Sequence, residues 1–131
     1  MPQGSLYERQ FKHHLEDAGF DVIRSAGSLA VDLVAVREIA GVQRAFLFEV
    51  KSFKTKRFYP SHDEKTKLQW AEMKRLEGKF WKRGKGTIHV YYALHKKNDG
   101  WMMALPSNLN KPELHSDPRS WFKSIKAGGM T

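Results

Sequence analysis

The sequence predicts an α/β fold in which a central mixed β-sheet is flanked by helices. Apolar residues recur every three or four positions from 5 to 18 and from 65 to 82, which is typical of amphipathic helices. Short alternating or β-branched runs lie between and after them. Because helices and strands alternate along the chain, the helices are expected to pack on the faces of one sheet. The predicted strands are 20–24, 31–36, 45–52, 87–94 and 101–105.

The helices have recognisable ends and apolar faces. Ser5 and Glu8 have the capping-box spacing, so Ser5 is predicted to open the first helix and Gly19 to end it. A short last helix is predicted from Pro118, with Asp117 as its cap. One small core does not need every large apolar side chain of the second helix, and a homodimer interface would use the surplus. The apolar arc of this helix is Trp70, Met73, Leu76, Phe80 and Trp81.

Two turns and one alternating strand organise the predicted sheet. Ala40-Gly41 predicts a turn after strand 31–36, and Asp99-Gly100 predicts a hairpin between the last two strands. Side chains alternate between the two faces of a strand. In strand 45–52, Phe46, Phe48 and Val50 therefore share one face, and Leu47, Glu49 and Lys51 share the other.

Length and composition favour a single domain over 1–131. Of the 131 residues 40% are hydrophobic, which is enough for one core and too many for a disordered chain. The absence of cysteine excludes disulfides and thiolate chemistry. No apolar run could span a bilayer or serve as a signal-peptide core. We therefore expect no membrane association and a cytoplasmic location, or the host cytoplasm if a virus encodes the protein.

Positive charge is concentrated in one segment of the chain. The net charge is +9, and residues 51–86 carry 12 basic against 4 acidic side chains, a surplus of 8. Such a segment suits nucleic acid, because cations bind phosphates and aromatic rings contact unstacked bases. The alternatives are a solubilising face and aromatic side chains that pack on their own domain. Basic and aromatic residues interleave at Phe53, Lys54, Lys56, Arg57, Phe58 and Tyr59.

Asp32 and Glu49 are acids within apolar strands, where an unpartnered charge would cost several kcal/mol. If strands 31–36 and 45–52 pair antiparallel, the two carboxylates converge at one edge, with Lys51 on the same face as Glu49. Carboxylate oxygens without thiolates are the ligands that Mg²⁺ and Mn²⁺ prefer, and phosphodiester hydrolysis uses such a cation beside an ammonium group. The alternative is a structural ion cluster without a catalytic role.

Three runs of sequence carry a family resemblance: Arg24-Ser25-Ala26-Gly27-Ser28, Val31-Asp32-Leu33-Val34-Ala35 and Phe48-Glu49-Val50-Lys51. In this order they resemble the archaeal-type Holliday junction resolvases of the PD-(D/E)xK nuclease superfamily, which has the restriction-endonuclease-like fold. Glu8-Arg9 resembles the acidic-basic pair at the N-terminus of that family. The resemblance is dense over 4–53 and extends to about Pro106, which leaves about 107–131 as a C-terminal extension. It departs at Val31, where the superfamily pattern has proline.

The resemblance implies a role for each of these residues. Asp32, Glu49 and the Val50 backbone carbonyl would bind Mg²⁺, for which Mn²⁺ substitutes, and Glu8 would add a further carboxylate. Lys51 would assist the attacking water, so the predicted catalytic residues are Glu8, Asp32, Glu49 and Lys51. The predicted DNA contacts are Arg9, Arg24, Ser28, Lys54, Lys56 and Arg57.

The predicted function is a homodimeric, Mg²⁺-dependent DNA endonuclease that selects four-way junctions by their shape and cuts them in symmetric pairs. The resemblance implies products with 5′-phosphate and 3′-hydroxyl ends. Two alternatives remain open. One is a related PD-(D/E)xK repair or recombination nuclease that acts on flaps or duplex, and the other is a non-catalytic nucleic-acid-binding module.

Overall fold

The computed structural model describes residues 3–25, 31–81, 87–98, 100–109, 113–115 and 118–124. Within them a six-stranded mixed sheet is flanked by helices, which confirms the predicted fold class. The helices are α1 (Gln3–Asp17), α2 (Glu64–Trp81) and α3 (Pro118–Ser124), with a 3₁₀ turn at Pro106–Asn108. The strands are β1 (Asp21–Arg24), β2 (Leu33–Ile39), β3 (Val42–Phe53), β4 (Ile88–Lys96), β5 (Gly100–Ala104) and β6 (Glu113–His115).

The described strands lie in the sheet in chain order, and one pair is parallel. β3 and β4 run parallel, with α2 between them in the chain, whereas the other neighbouring pairs are antiparallel. The turn predicted between β2 and β3 is confirmed, since Ala40 and Gly41 have φ of 54° and 80°. The parallel pairing sets Ser52 opposite His95, so the C-terminal ends of β3 and β4 meet at one edge.

Apolar side chains fill both faces of the sheet. Phe46, Phe48 and Val50 lie on the face that α1 and α3 cover, as their alternation predicts. Phe11 of α1 meets Phe48 edge-on, with ring centroids 4.8 Å apart. Trp121 of α3 also lies in this core, within the segment predicted as a C-terminal extension. On the other face, α2 contributes Trp70, Met73, Leu76 and Phe80 to a second cluster. These four side chains therefore pack on their own domain, and they are not the surplus that was expected for a dimer interface. The Trp81 side chain lies outside the description.

The structure corrects three predictions of local structure. α1 begins at Gln3, so Ser5 lies inside the helix and is not its cap, because the spacing of Ser5 and Glu8 does not prevent helix formation further upstream. Asp32 immediately precedes β2 instead of lying within the strand. The three-residue strand β6, which pairs with β5, was missed because so short a segment shows no alternation. The predicted roles of Asp99 and Asp117 lie outside the described residues.

None of the described helices combines the length and apolarity needed to cross a membrane.

Candidate active site

Asp32 and Glu49 are brought together by the antiparallel pairing of β2 and β3. The register sets Leu33 opposite Phe48, which leaves the two acids adjacent just beyond this pair. The Asp32 amide donates to the Phe48 carbonyl at 2.8 Å. The Val50 amide in turn donates to Asp32 Oδ2 at 2.9 Å. Backbone hydrogen bonds therefore fix Asp32 against β3, with its carboxyl group beside that of Glu49.

Glu49 occupies an environment that disfavours its negative charge. It is 2% exposed, and its Oε2 has no hydrogen-bond partner among the described residues. Burial raises the pKa of Glu49 to about 10, reinforced by a side-chain hydrogen bond to Asp32 and by the charge of Asp32. The Lys51 charge opposes this shift in the pKa and the Glu8 charge adds to it. At neutral pH the Glu49 side chain therefore keeps its proton when no cation is bound.

Lys51 lies on the same face of β3 as Glu49 and acts on two acids. Its charge lowers the pKa of Glu49 and also that of Asp63, which precedes α2. The pKa of Asp63 is lowered chiefly by hydrogen bonds from Thr66, whose amide donates to Asp63 Oδ1 at 2.7 Å. This bond caps the N-terminus of α2. The Lys51 ammonium is thus placed between the acidic pair and the start of that helix.

Glu8 and Arg24 form an ion pair at the border of the site. Arg24 ends β1, and its Nε lies 3.0 Å from Glu8 Oε1 on α1. The Glu8 side chain is 16% exposed, whereas that of Arg24 is 59% exposed. Glu8 lies close enough to the acidic pair for its charge to raise the pKa of Glu49. The sequence indicates both residues as site residues but does not reveal that they bind each other.

Of the six residues predicted to contact DNA, five are exposed and the sixth is not described by the structure. Ser28 lies outside the described residues. The Lys96 ammonium donates to the Lys56 carbonyl at 3.2 Å, which ties the basic segment to β4. Arg9, Arg24, Lys54, Lys56 and Arg57 are exposed.

The aromatic residues of the basic segment divide between the core and the surface. Phe58 packs against Phe53 and Tyr92, with ring centroids 6.0 and 5.9 Å apart. Both phenylalanines therefore pack on their own domain, as the alternative interpretation expected. Tyr59 is 46% exposed, and the Arg57 guanidinium lies 5.4 Å from its ring centroid. Tyr59 is thus the aromatic side chain of this segment that remains accessible to a nucleobase.

A cavity of about 110 Å³ opens where β3 and β4 end, beside α1. In its wall Tyr7 stacks on His95, with ring centroids 3.9 Å apart. Sequence reasoning missed Lys97, Tyr7 and His95 here, because the parallel pairing that brings β4 to this edge has no local sequence signal. The lining residues are Tyr7, Ser52, Phe53, Lys54, His95 and Lys97.

The acidic pair provides oxygen ligands suited to a divalent cation. Within the described part of the chain, no group of three or more His, Asp and Glu side chains is arranged to hold a metal ion. Asp32 and Glu49 nevertheless supply adjacent carboxylates, and Glu49 Oε2 is a buried oxygen without a partner. Mg²⁺ is bound through one or two carboxylates while water and substrate phosphate fill its remaining positions. The residues present therefore fit such an ion.

The mixed sheet flanked by helices has an α/β nuclease-like fold. The sequence profile of a family described as archaeal Holliday junction resolvase (Hjc) matches residues 1–115. This chain belongs to that family.

Two relatives support this assignment. The crossover junction endodeoxyribonuclease Hjc of Methanocaldococcus jannaschii is 42% identical over 66 residues, which are 50% of this chain and 47% of the relative. The match thus spans about half the length of that curated relative. The solved structure of Hjc, a Holliday junction resolvase from Archaeoglobus fulgidus, has a TM-score of 0.58 and 24% identity. The alignment covers 80% of this chain and 74% of the Archaeoglobus fulgidus chain, which supports the assigned α/β fold.

Proposed function

We propose that this chain is a metal-dependent endonuclease that resolves four-way DNA junctions by paired, symmetric cleavage. The observation that carries the proposal is the pairing of buried Glu49 with half-buried Asp32 across β2 and β3, with Lys51 on the same face of β3 as Glu49. Membership of the Hjc family supports the choice of substrate. The proposed location is the cytoplasm, where such DNA would be encountered.

The proposed cation site consists of Asp32, Glu49 and the Val50 carbonyl, with Mg²⁺ as the ion and Mn²⁺ as its substitute. A bound cation would neutralise charge at the scissile phosphate and acidify a water molecule. Lys51 would donate from its ammonium to the attacking water or to a phosphate oxygen, where negative charge develops. Glu8 would orient Arg24 through the bond at 3.0 Å, which directs the guanidinium toward the DNA backbone.

The decisive experiment compares an immobile four-way junction with a linear duplex of the same sequence. We expect wild-type protein with Mg²⁺ to make paired nicks at symmetric positions in the junction and to leave the duplex uncut. Asp32→Asn should bind the junction with unchanged affinity but make no cuts. Equal cutting of duplex or flaps would favour a related repair nuclease. Binding without any metal-dependent cleavage would favour a non-catalytic module.

The basic segment is proposed to bind DNA phosphates. Replacing Lys54 and Arg57 together with glutamine should lower the slope of log affinity against log salt by about two and weaken junction binding about tenfold. Lys12→Gln is the matched control, because Lys12 is engaged with Glu16 on α1 at 3.3 Å. Fluorescence anisotropy over a series of salt concentrations measures both quantities. An unchanged salt slope in the double variant would exclude this segment from the interface.

A homodimer is proposed because two sites related by a two-fold axis match the symmetry of the junction. Light scattering should therefore give the mass of two chains at micromolar concentration. A one-chain mass under conditions that give paired cleavage would contradict the dimer.

A further inference from the structure

Tyr92 lies next to Glu49 on the neighbouring strand and has no role in the chemistry described above. The parallel register of β3 and β4 sets Glu49 directly opposite Tyr92. Residues paired in this way project to the same face of a sheet. Tyr92 is 1% exposed and Glu49 is 2% exposed. The two polar side chains therefore meet in a space closed to solvent.

The hydroxyl of Tyr92 and Oε2 of Glu49 are both left without a hydrogen-bond partner. Within the described residues each atom is buried and unpaired. A buried polar group without a partner is destabilising, and native proteins keep few of them. Two such atoms on adjacent residues of one sheet face point to a common hydrogen-bond partner that lies between them.

The ring of Tyr92 also packs against the basic segment. Phe58 packs on it with ring centroids 5.9 Å apart, and Phe53 packs on Phe58. The Tyr92 hydroxyl is therefore carried by a side chain fixed between β4 and the segment proposed to bind DNA. A rigid donor at this position can set the orientation of a neighbouring carboxylate.

We propose that Tyr92 is a positioning residue whose hydroxyl holds the Glu49 carboxylate, through one ordered water, in the orientation that binds the divalent cation. The inference rests on the proposed function. The ionisable side chains whose charges act on Glu49 are Asp32, Lys51 and Glu8, so Tyr92 supplies a neutral donor beside two acids and one cation. Burial and the Glu49 charge raise the pKa of Tyr92, so it keeps its proton. Removing a donor that orients a metal ligand in this way typically weakens metal binding about ten- to a hundredfold.

The test is direct Mn²⁺ binding to the full chain, measured by electron paramagnetic resonance without DNA. Tyr92→Phe should raise the Mn²⁺ dissociation constant about tenfold, because only the hydroxyl is lost. The fold should be retained, since the Tyr92 ring that packs on Phe58 is kept. Tyr91→Phe is the matched control, because the Tyr91 ring packs on the opposite face against Trp121 and Phe48. That variant should keep wild-type affinity for Mn²⁺.

Cleavage gives a second readout that a purely structural role would not produce. In Tyr92→Phe the Mg²⁺ concentration for half-maximal cleavage should rise about tenfold, while the rate at saturating Mg²⁺ recovers to near wild type. Unchanged Mn²⁺ affinity in Tyr92→Phe, together with affinity lost in Asp32→Asn, would overturn the role of Tyr92 alone. Wild-type protein that binds no Mn²⁺ would instead overturn the proposed function, and this inference with it.

Discussion

Replacing Glu49 with glutamine is expected to abolish junction cleavage and at the same time to stabilise the fold. Loss of one cation ligand should lower the cleavage rate about a thousandfold or more, equivalent to roughly 4 kcal/mol of transition-state stabilisation. Stability should rise by about 1 to 3 kcal/mol, because a neutral amide replaces an acid that folding forces to take up a proton. Single-turnover cleavage and thermal unfolding measure the two effects.

The matched control is Glu38→Gln, since Glu38 lies on β2 opposite Gln43 and is exposed. This change should leave both the cleavage rate and the free energy of unfolding within experimental error. Asp32→Asn should also lose cleavage, but with a smaller gain in stability, because Asp32 already accepts a hydrogen bond from the Val50 amide. A Glu49→Gln variant that cuts normally, or that unfolds more easily than wild type, would contradict the proposed site.

The acidic pair could be predicted from sequence because its determinants are local. Alternation over 45–52 assigns Glu49 and Lys51 to one face, and Ala40-Gly41 joins the two strands closely enough to fix their antiparallel register. That register by itself makes Asp32 and Glu49 neighbours. The raised pKa of Glu49 then follows from its own burial and from the neighbouring Asp32, which are consequences of the same pattern.

The remainder of the site depends on contacts that local patterns do not specify. The parallel pairing of β3 and β4 across α2 sets Tyr92 opposite Glu49, and no turn signal encodes that register. The ion pair between Glu8 and Arg24 depends on how α1 packs across the sheet. Phe58 could equally face solvent or the core, and only the tertiary structure shows that it covers Tyr92.

The stability of the metal-free protein is expected to fall as the pH rises from 7 to 9. The pKa of Glu49 is about 10 in the folded chain against a model value of 4.5, so the folded state binds the extra proton throughout this range. Because the unfolded state holds fewer protons, the free energy of unfolding decreases with pH, by at most about 1.4 kcal/mol per pH unit. The pKa values of His89 and His95 are lowered, so these side chains are largely neutral in both states above pH 7.

Denaturant unfolding at pH 7, 8 and 9 in the presence of a chelator measures this slope, and Glu49→Gln should remove it. A divalent cation competes with the proton on Glu49, so its binding releases that proton and strengthens as the pH rises. Mg²⁺ should therefore raise the unfolding temperature of the wild type more at pH 9 than at pH 7, and should leave that of Glu49→Gln nearly unchanged. A pH-independent stability in the wild type would mean that Glu49 is ionised without a cation. The effect of burial on the pKa of Glu49 would then be contradicted.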